Sequence, residues 1–198
     1  MVARVGGVSG RTGPLLNKEL MRRSIGMMVT VIVLSTTVTC QAASSDGVEL
    51  SGDILAFVLP ATAAGLTLGY RDAPGTVQFG ESMALTLGVT FGLKYSIHAQ
   101  RPDNGSQSFP SGHTSISFCS AEFLRKRYGW EYGLPAYAVA SYVGYSRIES
   151  KRHYPRDVAA GAALGFLSSY LFTKPYYGWT VEPQVDADYY GIRLVKSW

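Results

Sequence analysis

Charge is sparse in this chain: of 198 residues, 16% are Asp, Glu, Lys or Arg. Cysteine is nearly absent, with Cys40 and Cys119 alone. Two such residues exclude a disulfide scaffold and a cysteine metal site, and Cys119, inside an apolar segment, reads as core packing. Excess charge of one sign is also missing from the body of the protein. The net charge of +4 lies wholly in residues 1–42, where Arg4, Arg11, Lys18, Arg22 and Arg23 face Glu19; the rest holds 13 basic and 13 acidic residues. That distribution leaves no nucleic-acid footprint. The longest charge-free apolar run after residue 45 is Ile54–Tyr70, 17 residues broken by Pro60. A bilayer span needs about 20 apolar residues, so buried helices of a soluble bundle are the favoured reading.

What is present begins with the N-terminus. Arg22 and Arg23, the apolar stretch Ile25–Val38 and the small residues to Ala42 follow the order of a secretory signal. Residues 1–42 are therefore assigned as a signal peptide or an N-terminal membrane anchor, with Met1 and Met21 both candidate starts. Counting Ile25–Val38 as a sixth helix would make a membrane bundle, with Arg125–Arg127 inside the cell as the positive-inside bias prefers.

Five apolar segments follow: Ile54–Tyr70, Ser82–Ile97, Gly112–Leu124, Leu134–Tyr145 and Val158–Phe172. Their lengths suit helices, and RDAPG and YGWEYG separate them as turns. The fold class expected is all-α, a compact bundle of five to six helices over residues 43–174. Glycines four apart (Gly65/Gly69, Gly88/Gly92, Gly161/Gly165) would let helix backbones approach closely. The tail, 175–198, carries partial alternation and an Asp-Ala-Asp turn, and reads as a short β-hairpin.

Three stretches carry chemistry. In KYSIHAQRP, Lys94, His98 and Arg101 are spaced to share one helix face, and Pro102 stops the helix near Arg101. In PSGHT, Ser111 is a good N-cap, and Gly112 and His113 open a helix whose free N–H groups suit a phosphate. In SRIESKRHYPRD, Pro155 fits the first position of a helix with Tyr154 as N-cap. His153 then precedes the helix and Asp157 lies in its first turn, within reach of one ring nitrogen. The other nitrogen is left free to attack. Arg147 adds a planar fork suited to phosphate oxygens, while Lys151, Arg152 and Arg156 form a basic rim. Taken singly, each stretch is more often structural than catalytic.

Together they resemble the three-part signature of the type 2 phosphatidic acid phosphatase superfamily, which includes bacterial class A acid phosphatases and vanadium haloperoxidases. The pattern K-x6-R-P, P-S-G-H, S-R-x5-H-x3-D is complete between Lys94 and Asp157. The resemblance implies that His153 attacks phosphorus and becomes phosphohistidine, with Asp157 orienting it. His113 would protonate the leaving alcohol and then activate water. Lys94, Arg101, Ser111, Gly112 and Arg147 would hold the phosphoryl oxygens, with neither metal nor cofactor. His98 stands outside the pattern and is expected to be solvated or structural.

The function expected is a metal-independent phosphatase of the bacterial envelope, acting on phosphomonoesters or pyrophosphates. Its partner would be a phosphorylated lipid or small phosphate ester, with association to the inner membrane and none to nucleic acid. The enzyme would be periplasmic after signal cleavage, or in the inner membrane with its site facing the periplasm. Two rivals remain: a vanadium-dependent haloperoxidase, and a phospholipid- or phosphate-binding protein without turnover.

Overall fold

A computed structural model describes residues 45–176, 178–186 and 189–197. The leader assigned to residues 1–42 lies outside the described residues. Five helices run in order: α1 Ser45–Gly69, α2 Ala73–Ile97, α3 Gly112–Tyr128, α4 Trp130–Glu149 and α5 Pro155–Phe172. Two strands follow, β1 Gly178–Asp186 and β2 Tyr189–Ser197. They pair antiparallel, Gly178 opposite Ser197 and Asp186 opposite Tyr189, which is the hairpin expected of the tail.

Each apolar segment became one helix, but most helices run past it. α1 begins at Ser45 rather than Ile54, and so takes Glu49 and Asp53 into its first turns. α2 begins inside RDAPG, because Asp72 caps it by accepting from the Gly75 N–H at 3.0 Å and Pro74 suits a first turn. The turn is therefore confined to Tyr70, Arg71 and Asp72. YGWEYG likewise shrinks to Gly129, whose φ of 103° suits glycine, and α4 starts at Trp130.

α3 packs against all four other helices. As far as Ala121 its buried residues are small, Thr114, Ser115, Ser117, Cys119, Ser120 and Ala121, which allows close approach of neighbouring helices. The approach of α5 is the tightest. A Cβ on Gly161 would stand 2.5 Å from the Ser111 carbonyl oxygen, and one on Gly165 would stand 2.1 Å from that of Ser115. The other two glycine pairs do not serve this purpose. Gly65, Gly69, Gly88 and Gly92 face open space, so four-residue spacing alone did not identify the contact. The apolar core joins Leu55, Ala56 and Leu59 of α1 to Phe123 and Leu124 of α3 and Val139, Ala140 and Val143 of α4.

The helices alternate in direction. As a result the N-termini of α1, α3 and α5 gather with the C-termini of α2 and α4 at one end. Arg147 reaches Asp53 there, and Ser111 reaches Asp157. Large apolar side chains also remain outside the core: Leu50, Ile54, Phe57 and Leu68 on α1, Val77 and Phe91 on α2, and Leu167 and Leu171 on α5.

Candidate active site

α2 ends at Ile97, and His98 leaves the helix in left-handed geometry with φ of 49°. The single helix face expected for Lys94, His98 and Arg101 is therefore not formed. Lys94 lies in the last turn, His98 is the cap, and Arg101 belongs to the loop that Pro102 keeps from being helical. That loop is tied by the Arg101 N–H to the Gly105 carbonyl at 2.8 Å and the Ser108 N–H to the Ala99 carbonyl at 2.8 Å. His98 is exposed, as expected, and its Nδ1 lies 3.4 Å from the Ser96 carbonyl.

A cavity of about 350 Å³ opens at this end, lined by Glu49, Asp53, Arg101, His113, Arg147, Arg152 and His153. The two histidines thus face one volume. Lys94, Ser111, Gly112 and Asp157 stand behind the lining. The Lys94 Nζ donates to the Gln107 carbonyl at 2.6 Å, and its stem passes Gly112, where a Cβ would meet Lys94 Cε at 3.9 Å. Ser111 is the N-cap of α3, though its own N–H is already given to the Asp157 carbonyl at 3.0 Å. Its Oγ accepts from Thr114 Oγ1 at 2.9 Å. The N–H groups of Gly112 and His113, in the first turn, have no partner within the helix and are suited to an anion.

His153 is almost wholly buried, and its backbone N–H is held by the Arg147 carbonyl at 3.1 Å. Its Nδ1 lies 3.8 Å from Asp157 Oδ2, close enough for electrostatic attraction but too far for a hydrogen bond. Asp157 is fully buried and is oriented independently of the histidine. Its Oδ2 accepts from Ser108 Oγ at 2.5 Å and from the Tyr154 N–H at 3.0 Å. The second bond is half of a capping box, with Tyr154 as N-cap and Pro155 opening α5. Burial, then the charges of Lys94 and Arg101, push the His153 imidazole down to about 4, against the opposing pull of Asp157. That shift favours the neutral ring at ordinary pH, the form in which an imidazole is able to attack.

Arg147 is held from two sides. Its Nη1 donates to Asp53 Oδ1 at 2.6 Å, its Nη2 to the Glu49 carbonyl at 2.6 Å, and its Nε to Ser146 Oγ at 3.1 Å. Of the basic rim, Arg152 enters the cavity wall and pairs with Glu49 at 2.7 Å and Asp103 at 3.1 Å. Arg156 stays exposed over the Tyr154 ring, and Lys151 is exposed. Three residues escaped the reading of the sequence: Glu49, Asp53 and Ser108. The signal available for the first two was a pair of acids four apart in a charge-poor stretch, which share a helix face. Ser108 offered none.

A family profile described as the PAP2 superfamily matches residues 75–180. The chain is 30% identical over 169 residues to a lipid A 4'-phosphatase of Helicobacter pylori, covering 76% of this chain and 85% of that protein. It is 43% identical over 90 residues to a lipid A 1-phosphatase of Porphyromonas gingivalis, covering 43% of this chain and 20% of that longer protein. Among solved structures, Aquifex aeolicus LpxE superposes with a TM-score of 0.51 at 20% identity, covering 76% of this chain and 91% of that one. A transmembrane PAP2-type phosphatidylglycerolphosphate phosphatase from Bacillus subtilis superposes with a TM-score of 0.53 at 21% identity, covering 79% and 92%. At those identities the two structures speak to the fold. The family profile and the Helicobacter relative speak to descent: the chain belongs to the PAP2 superfamily and is a hydrolase acting on phosphate esters.

Proposed function

We propose that the chain removes phosphate from lipid phosphomonoesters or pyrophosphates through a phosphohistidine formed on His153. One observation carries this reading: His113 and His153 line a single cavity with Arg101 and Arg147. Phosphoryl transfer asks chiefly for alignment and for cations around the equatorial oxygens. Neutral His153 attacks phosphorus, and the P–N bond forms as the P–O bond to the alcohol breaks. His113 gives its proton to the departing oxygen. His113 then takes a proton from water, whose oxygen bonds phosphorus as the P–N bond breaks, and phosphate leaves. Asp157 orients and supports the His153 ring. Lys94, Arg101 and Arg147, with the N–H groups of Gly112 and His113, hold the oxygens, and Ser111 fixes that helix start.

The setting proposed is the bacterial inner membrane, with the site at the periplasmic face. Run length had favoured a soluble bundle. Two features weigh the other way. Asp46–Gly69 is long and apolar enough to cross a bilayer, with a mean hydropathy of 1.5. The apolar side chains left outside the core on α1, α2 and α5 suit lipid. The end away from the site carries Arg71, Arg125, Lys126, Arg127 and Lys174, which the positive-inside bias assigns to the cytoplasm. The relatives named for lipid A phosphates make a lipid the substrate class of choice.

A phosphate-release panel tests the function. Purified chain in detergent should release phosphate from lipid phosphates in mixed micelles faster than from soluble esters. Equal rates on both would remove the lipid assignment, and no release from any ester would remove the phosphatase. Orthovanadate should inhibit, since it mimics the trigonal bipyramidal phosphoryl group. Fractionation of tagged protein should place it with membranes.

A further inference from the structure

The signature that marks the pocket leaves out two acids that line it, Glu49 and Asp53, and the second touches a catalytic candidate. Asp53, on α1, lies with the same oxygen, Oδ1, 2.6 Å from Arg147 Nη1 and 3.2 Å from His113 Nε2. A carboxylate accepts, so the proton of that second contact sits on Nε2. We propose that Asp53 is a positioning residue, holding the His113 ring through Nε2 so that Nδ1 exchanges the proton with the leaving oxygen and then with water. The proposal rests on the phosphatase reading above and extends it to the residue that aims its acid.

Two features show that Asp53 is fixed in place. First, α1 abuts α4 at Gly52, where a Cβ would stand 1.9 Å from Ser146 Oγ and 2.5 Å from Arg147 Nη2. Only glycine permits that approach, and the Glu49 carbonyl completes it by taking Arg147 Nη2 at 2.6 Å. Second, Phe57, one turn beyond Asp53, meets the His113 ring edge to face, with centroids 6.3 Å apart and planes at 87°. The ring is thus met from α1 at two positions four residues apart, a carboxylate and an aromatic. Proton transfer within the pocket balances as before: the Nδ1 proton moves to the alkoxide as P–O breaks and is regained from water as P–N breaks. The Nε2 proton stays on His113 throughout, donated to Asp53.

The bland alternative is that Asp53 serves only to hold Arg147 for binding the phosphate. Leaving-group dependence separates the two. In kcat/KM, which reports steps up to release of the alcohol, p-nitrophenyl phosphate needs little help from an acid because its leaving group departs readily as an anion. An alkyl phosphate needs the proton. Asp53→Asn should lower kcat/KM for an alkyl phosphate by about a hundredfold and for p-nitrophenyl phosphate by less than about fivefold. Asp53→Asn combined with His113→Ala should be no worse than His113→Ala alone. Equal losses on both esters would assign Asp53 to phosphate binding and overturn the proposal, as would no loss on either. If the wild type released phosphate from neither ester nor from lipid phosphates in mixed micelles, the phosphatase reading itself would fall and take this proposal with it. Should the variant fail to fold, the ¹⁵N spectrum of His113 in the wild type decides. An Nε2–H tautomer in the neutral ring supports the proposal, and an Nδ1–H tautomer overturns it.

Discussion

Ser108 Oγ donates to Asp157 Oδ2 at 2.5 Å, and His153 Nδ1 stands 3.8 Å from that same oxygen. The carboxylate is therefore oriented before the histidine engages it, by a serine from the loop after α2 and by the Tyr154 N–H. Catalytic hydrogen bonds tighten in the Michaelis and transition-state complexes. Replacing His153 or His113 by Ala should lower turnover by at least about a hundredfold, the usual scale for a catalytic acid or base. Ser108→Ala should cost about tenfold in kcat, the scale of one hydrogen bond to a charged group. Because Ser108 does not line the cavity, KM should change little. Steady-state kinetics on one soluble ester checks all three, and a silent Ser108→Ala would show that Asp157 is held without it.

The depressed His153 imidazole has a consequence for pH. Its folded value of about 4 lies below the ordinary value of 6.5, so between these the unfolded chain binds more protons than the folded one. Stability contributed by this residue is complete above pH 6.5, declines as pH falls toward 4 and levels below it. The full span is at most about 3 kcal/mol. NMR titration of the His153 ring should show a midpoint well under 6.5, and wild type should lose more stability from pH 7 to pH 4 than His153→Gln. A ring titrating near its ordinary value would contradict the burial described.

The signature residues were legible because their chemistry is local in sequence. PSGH opens a helix wherever it stands, and Pro155 sets the helix that carries Asp157 three positions from its N-cap. Helix number was legible for the same kind of reason, since each apolar segment is long and bounded by turn residues. What could not be read depends on the partner across the gap. Gly52 looks like any loop-side glycine until α4 is placed against it, and Ser108 is one serine among several until Asp157 arrives. Helix starts were missed where polar residues precede the apolar run, as at Ser45, because the apolar pattern marks the packed face and not the capped turn.

The glycines offer a paired test. Gly165 lies where a Cβ would stand 2.1 Å from the Ser115 carbonyl oxygen, a backbone atom that cannot yield without moving α3 from α5. Gly165→Ala should therefore destabilise the protein by about 1–3 kcal/mol, as overpacking does. Gly88, with the same spacing motif but open space around it, should respond in the opposite sense. Gly88→Ala should stabilise by about 0.5–1 kcal/mol through the helix preference for alanine. Thermal unfolding of the two variants in one detergent checks both signs, and like shifts would refute the distinction.

At the end remote from the site, Arg127 and Asp72 form a nearly buried ion pair that ties α3 to the start of α2. Arg127 Nε donates to Asp72 Oδ2 at 2.7 Å, Nη2 donates to Oδ1, and Nη1 reaches the Lys174 carbonyl at 2.8 Å. Tyr128 adds its hydroxyl to Asp72 Oδ2 at 3.1 Å. Burial alone would raise the Asp72 carboxyl, but Arg127 and the Gly75 N–H outweigh it and hold it below its usual value. Arg127→Ala would strand that carboxylate in the interior, an event that costs about 3–5 kcal/mol when a buried partner is lost. Lys at this position should not restore the loss, because it lacks the fork that meets both carboxylate oxygens and the Lys174 carbonyl together. Replacing both partners, Asp72→Asn with Arg127→Gln, should cost less than Arg127→Ala alone, since no charge is left unpaired. Denaturation gives the stabilities, and KM of the folded fraction should stay at the wild-type value in all three variants. A raised KM would mean that the two ends of the bundle are coupled.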